Sequence, residues 1–292
     1  RALADLGWAS DDAAFHASGQ VWLDQADNDY RITVDDVDPN TGRIIEDGLT
    51  VDKNNAEFRS FGVAAEAGLR GELELDRASV RLFYGDARKG LPHDLTQDIA
   101  FGEVETGQAS FGGRLRVEDS EIFGFLDLDL VAGAVRRLSR FTDLAETDYD
   151  FEGNPTIPGR GELVSGGVDQ ELTEWLATAR VHLSAAVARD HVIALTLAPE
   201  LERRTGVQRI PDAEEDNILP PTQLLSFVGG LSYRFEPAFF PVDNDLFAKL
   251  YVLDASGEEV VLGFGTGPFS LSSVDVGVGD AVVWRVFREL SV

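Results

Sequence analysis

Cysteine and methionine are both absent from the 292 residues. Without cysteine, neither a disulfide nor a thiolate metal site can hold the fold, and the redox compartment stays open because an exported protein can simply lack the residue. Without methionine the chain starts at Arg1, as removal of a signal peptide would leave it; a chain given without its first residues would look the same. No apolar run approaches the ~18–20 residues a membrane helix needs, so any insertion into a bilayer has to be as β-structure. Basic residues are scarce: 25 Lys+Arg against 52 Asp+Glu give a formal net charge of −27. That sign argues against nucleic acid and anionic lipid surfaces as electrostatic partners, and fits divalent cations, high salt or cationic ligands. Aromatic residues make up only 9% of the chain. The 43% apolar and 26% charged fractions are nonetheless those of a folding chain, large enough for one large domain or two ordinary ones.

What the chain does contain is alternation. In Phe61–Gly85, Val63, Ala65, Ala67, Leu69, Gly71, Leu73 and Leu75 share one parity, while Ala64, Glu66, Gly68, Arg70, Glu72 and Glu74 share the other. This is the period-2 signature of a strand with unlike faces. It runs far beyond the ~5–6 residues of an ordinary strand, so the environment has to reward length.

Strand-like segments come in pairs joined by tight turns: Glu57–Leu75 with Ser79–Gly85, Ala109–Val117 with Ile122–Leu138, and Trp175–Val187 with Ile193–Glu202. Between the pairs lie long acidic connections at Ala26–Asn55, Asp86–Gln108, Thr142–Thr173 and Arg203–Gln223. Within the first, Asp38-Pro39-Asn40-Thr41-Gly42 predicts a turn that folds Thr33–Asp47 into a projecting hairpin. Adding a strand near Phe15–Gln25, one near Leu225–Glu236 and four shorter ones near Leu246–Leu253, Val260–Phe264, Phe269–Val276 and Ala281–Arg288 brings the count to about twelve. The first and last are expected to pair and close the sheet. An alternative division keeps a barrel of about eight strands over 1–240 and a small β-domain over 241–292.

With alternating faces, short turns on one side and long acidic loops on the other, the chain resembles bacterial outer-membrane β-barrels of the porin-like kind. The resemblance is architectural, covers most of the chain, and singles out no family. It implies an all-β, antiparallel up-and-down membrane barrel in a single domain, 1–292, in the bacterial outer membrane. The implied function is a small-solute or ion channel, or a structural component of an envelope assembly, without enzymatic activity or cofactor. The partners expected are the lipid bilayer, other envelope proteins, and divalent cations at the acidic loops, with no nucleic acid. A charge on the lipid side would cost about 2–4 kcal/mol per Arg or Lys at the midplane. Glu66, Arg70, Glu72, Glu74, Arg81, Arg114, Arg116, Asp127, Asp129, Arg180, His182, Arg234 and Lys249 are therefore expected to line the lumen, either as a selectivity constriction or as a space-filling salt-bridge network. Trp175, Trp284, Tyr84, Tyr233 and Phe235 are expected to mark interfacial belts. The competing architecture is a soluble β-sandwich, extracellular, in a secreted, surface-layer or virion protein of a saline habitat.

Other chemistry is weakly signalled. His182-Leu183-Ser184 is similar to the His and Ser of outer-membrane phospholipase A, but the Asn that family carries on the neighbouring strand has no counterpart in Ile193–Glu202. The pair is therefore expected to be an ordinary lumen pair. Counted as an EF-hand from Asp36, the acidic loop puts Thr41 where Gly belongs and Asp47 where Glu belongs, so it reads as a solvated hairpin tip. Gly263-Phe264-Gly265-Thr266-Gly267 precedes a strand instead of a helix, which removes a phosphate-loop reading. His16, His93, His182 and His191 show no metal-ligand spacing, so no metal site is expected. The acids of the first long loop (Asp27, Asp29, Asp35, Asp36, Asp38, Glu46, Asp47, Asp52) and of the third (Asp143, Glu146, Asp148, Asp150, Glu152) predict a strongly negative rim.

Overall fold

The computed structural model describes residues 2–9, 14–27, 30–37, 43–53, 55–72, 75–91, 103–149, 155–158, 161–162, 166–209, 217–237, 242–261, 265–287 and 290–291. Among them every regular element is a strand: β1 Ala2–Ala9, β2 Phe15–Ala26, β3 Tyr30–Val37, β4 Ile44–Lys53, β5 Phe58–Glu72, β6 Leu75–Leu91, β7 Val104–Ile122, β8 Leu126–Asp143, β9 Thr147–Tyr149, β10 Pro155–Pro158, β11 Val168–Ala188, β12 His191–Arg209, β13 Asn217–Phe235, β14 Val242–Val261, β15 Gly265–Phe287 and β16 Leu290–Ser291. One antiparallel up-and-down sheet runs in the order β1-β2-β5-β6-β7-β8-β11-β12-β13-β14-β15-β16. The remaining strands form small hairpins on the long connections, β3 with β4 and β9 with β10. The first of these is the hairpin predicted around Asp38–Gly42; the turn itself lies outside the described residues.

No strand touches any strand except its hydrogen-bonded neighbours. The described strands of the main element form a single sheet with one face open, unlike the sandwich expected as the competing architecture. Buried apolar side chains are correspondingly few and mostly small: Ala56, Ala64, Val104, Ala145, Val168 and Leu219.

Two expectations about the strands are corrected. The four short C-terminal strands are two long ones, β14 and β15, paired without interruption from Val242↔Trp284 to Val261↔Gly265 and continuous with the same sheet through β13. Gly277-Val278-Gly279-Asp280 resembled a turn, but its two glycines fall on one face, where Gly279 makes room for the Phe247 ring. The total still reaches twelve because β1 and β16 were not anticipated. Closure between first and last strands is not seen: among the described residues β1 pairs with β2 alone, and β15 pairs with β14 and, at its end, with β16. Several strands also run on into expected loops, β6 to Leu91, β7 from Val104, β11 from Val168 and β12 to Arg209. There the ladder continues after the hydropathy alternation has stopped.

Register assigns the faces. Ala17, Ala67, Val80, Leu115, Ala132, Phe227, Val252 and Val274 line up across the sheet, as do Leu69, Ala78, Val117, Leu130, Val181, Leu197, Leu250 and Val276. This apolar face is open to its surroundings; Leu82, Phe111 and Val276 are 52%, 58% and 72% exposed. Val63, Ala65, Leu69, Leu126, Leu128, Val181 and Leu183 share it as expected, while Leu73 lies outside the described residues. Prolines sit where the ladder tolerates them. No pairing links Ala179–Arg180 to Ala198–Pro199, consistent with the missing N–H of Pro199, and Pro220 occupies a bulge in the pairing of β13 with β12.

The opposite face packs large rings onto glycines of the next strand. A Cβ on Gly62 would collide with the Trp22 ring, and one on Gly112 would fall 2.7 Å from the Phe83 ring. These contacts fix the register locally and let neighbouring strands approach without a clash. Gly62→Leu is expected to displace Trp22 and lower stability by about 1–3 kcal/mol, as overpacking does. The measurement is a urea titration of the full chain beside Gly71→Ala, which has no neighbouring atom to clash with but a positive φ of 64°. The two substitutions separate steric from backbone strain.

Candidate functional site

The charged face is built from residues that alternate with the apolar rows. Glu66, Arg70, Arg81, Arg114, Arg116, Asp127, Asp129, Arg180, His182, Arg234 and Lys249 all fall on it by register. Glu72 ends β5 opposite Leu75, and Glu74 lies outside the described residues. Rows of different chemistry succeed one another along the strands. A row near the short turns carries Arg70, Arg77, Glu118, Asp129, His182, Thr196 and Lys249; the next row away from the turns carries Ser79, Arg116, Val131 and Arg180; the next Glu66, Arg81, Arg114, Gly133, Thr178 and Glu200. Above them comes a row that is apolar at Ala64, Phe83, Gly112, Val135, Leu176 and Leu224 but also holds Gln20 and Glu202, and then Trp22, Ser110, Arg137, Glu174, Arg204 and Thr222.

Many of the charges are paired. Glu66 reaches Arg77 at 3.7 Å and His16 at 3.9 Å, Arg180 donates to Asp129 at 3.1 Å, Arg116 donates to Glu118, and Arg234 bridges Asp245 at 3.3 Å. His182 and Ser184, which the sequence placed together, have different partners: His182 Nδ1 meets Thr196 Oγ1 at 2.9 Å, and Ser184 donates to Asp127 at 3.2 Å. Sequence reasoning missed the upper network, in which Glu174 takes Arg137 at 2.7 Å on one oxygen and Arg204 at 3.0 Å on the other, with Glu202 also on Arg204. Extending the parity of Arg180 upward through Glu174 would have found it. Beside this network a cavity of about 600 Å³ is lined by Leu172, Glu202, Arg204, Leu219, Leu224 and Phe269.

On the opposite face, aromatic residues bracket the apolar band as expected. Tyr84, Phe111, Arg136 and Trp175 share one register row, and the Arg136 guanidinium lies 5.6 Å from the Trp175 ring centre. Tyr233 shares a row with Ile193 and Ala185, His191 stacks on both Tyr233 and Phe235, and Trp284 lies one step farther out. Along β11 the two rows are Trp175 and Ala185, which at ~3.4 Å per residue and a ~40° tilt brackets about 25 Å.

Beyond the upper belt the rim is held by polar contacts. Asn55 donates to the carbonyls of Leu91 at 3.1 Å and Val104 at 2.9 Å, tying the first long connection to β6 and β7. Asp143, expected among the repelling acids, is fully buried and accepts the Glu162 amide at 2.7 Å. Glu146 and Asp27 are exposed. Asp29, Asp38, Asp150 and Glu152 lie outside the described residues, and the side chains of Asp35, Asp36, Glu46, Asp47, Asp52 and Asp148 are likewise not described. Among the described residues no group of three or more acid or imidazole side chains is arranged to hold a metal.

Asp169 is the electrostatic centre of this rim. Arg140 grips it with two hydrogen bonds of 2.9 Å, Arg209 lies at 3.5 Å, and Thr142 donates at 3.4 Å. The Arg140 hydrogen bond, helped by the charges of Arg140 and Arg209, holds the Asp169 carboxyl below the ordinary aspartate value despite partial desolvation. At the opposite end of the sheet, hydrogen bonds from the Ser120 hydroxyl and amide likewise lower Asp76. Because the folded value at Asp169 is depressed, its contribution is complete above the ordinary ~3.9 and is lost as pH falls below that through the folded value. Asp169→Asn is therefore expected to cost about 1 kcal/mol at neutral pH and progressively less as the pH falls through the folded value, read from urea midpoints along a pH series.

No protein-family model matches the chain, and no curated protein matches it in sequence. Solved structures do match in shape. The ferric yersiniabactin uptake receptor of Yersinia pestis superposes on 96% of this chain with a TM-score of 0.50 at 12% identity, and the siderophore receptor of Acinetobacter baumannii on 98% with 0.57 at 10%. This chain spans 40% and 45% of their respective lengths. Identity that low carries fold and nothing more. In fold, the chain is an antiparallel up-and-down β-wall of the outer-membrane barrel type.

Proposed function

We propose that the chain is a membrane-embedded wall in a bacterial outer membrane, and that its charged face borders an aqueous path for small solutes. The observation that supports this best is the division of chemistry between faces. Apolar rows cross β5 to β15 over a height of about 25 Å, bracketed by aromatic rows, with the charged rows on the other side and Asp119 and Asp254 as exceptions on the apolar face. Water on the apolar face would make that exposure unfavourable; hydrocarbon makes it favourable. Water on the charged face solvates Arg, Lys and carboxylate groups that a dry interior would have to pair completely. An envelope-scaffold role without conduction is the second reading, supported by the extent of ion pairing on that face.

A pair of substitutions tests the assignment of faces. Val181→Lys places a charge in the middle of the apolar face and is expected to lower stability in lipid by about 2–4 kcal/mol, whereas Thr196→Lys on the charged face should change it little. Folding titrations into phosphatidylcholine vesicles read both. Equal, small effects would point to a water-exposed sheet and overturn the membrane reading. Vesicles loaded with salt then decide between roles: conductance above that of bare lipid supports a solute path, and insertion without conductance supports the scaffold.

A further inference from the structure

The second and third rows of the charged face hold an excess of arginine that the protein does not neutralise. Arg81 and Arg114 stand directly opposite one another on β6 and β7, and like charges in that position are destabilising. Among the described residues neither has a carboxylate within 4 Å. Glu66, opposite Arg81 in register, is directed instead to Arg77 and His16. Diagonally below lie Arg116 and Arg180, each with a single acid, and the Arg116 Nε is buried without a hydrogen-bond partner.

Between these side chains there is space. A cavity of about 340 Å³ is bounded by Arg114, Arg116, Arg180, Val131 and Thr178, and Arg81 lines the neighbouring pocket with Glu66. Register places Gly133 between Arg114 and Thr178, where the missing side chain leaves the centre of the row open. The same place coincides with the break in the ladder opposite Pro199, at Ala179–Arg180.

We infer that Arg81, Arg114, Arg116 and Arg180 form a binding site for a small oxyanion group, a phosphate or a carboxylate, seated over Gly133. Guanidinium forks match the planar edge of either group and form charge-assisted hydrogen bonds to it. The apolar row immediately above, with Phe83, Val135 and Leu176, would accept an uncharged body attached to that group. This rests on the reading that the charged face meets water, and it predicts a local anion preference inside a molecule whose net charge is −27.

The test uses the full chain folded in detergent, titrated calorimetrically with inorganic phosphate and, separately, with citrate at constant ionic strength. Saturable binding of at least one of them is expected, weakened about tenfold or more by Arg114→Gln and by Arg81→Gln. It should be unchanged by Arg234→Gln, which removes an arginine of the same face near the short turns. Val131→Phe fills the cavity without altering charge and should abolish binding as well. No saturable binding, or equal loss with Arg234→Gln, overturns the site. Vesicle insertion and conductance are scored in parallel, so a chain that inserts and conducts without binding either anion refutes this inference and leaves the proposed function standing. One that binds but does not insert refutes the membrane reading alone.

Discussion

The structure depends on one constraint: each strand finds its partners only in the strands hydrogen-bonded to it. Ordinary domains bury an apolar face against a second layer, and that burial supplies most of their stability. Here the backbone ladder takes the organising role, and the medium on each side decides which residues suit each face. Removing backbone N–H and C=O groups from water is tolerable only when they are paired, and long uninterrupted strands are what an apolar medium would demand. Irregularities are consequently local. The interruption at Pro199 and the bulge at Pro220 remain inside the sheet because pairing resumes on both sides.

The ladder also determines the electrostatics. Because register repeats in twos, charge introduced on one parity accumulates on one face and arrives there in rows. Some rows satisfy themselves, as Glu174 does by dividing its oxygens between Arg137 and Arg204. Others do not, as where Arg81 faces Arg114. The acidic net charge says little about any single row: the field of the whole molecule is dominated by carboxylates, while a guanidinium acts within a few ångströms through directed hydrogen bonds.

Much of this was legible in the sequence wherever the two faces meet different media. Val63 to Leu69 against Glu66 and Arg70 gave parity, strand and orientation together. Legibility failed where both faces meet similar surroundings. At the tops of β6, β11 and β12 the alternation fades while pairing persists, so Lys89, Asp169 and Arg209 read as loop residues although they lie in strands. In β15, glycines and a carboxylate imitate a turn, and the ring of Phe247 over Gly279 is a long-range contact that local pattern cannot show. Arg140 and Asp169 are likewise adjacent only across the β8–β11 ladder, which is why the rim's main ion pair left no trace in either segment alone.

Among the described residues β1 and β15 do not pair with each other. The sheet superposes along nearly its whole length on 40–45% of much larger receptors. Strands spaced ~4.8 Å apart close at a given number only if each turns sufficiently relative to the last, and barrel diameter grows with that number. The pairing order of the described strands is open at both ends. An open sheet has two edges, and in hydrocarbon each unpaired N–H or C=O costs several kcal/mol.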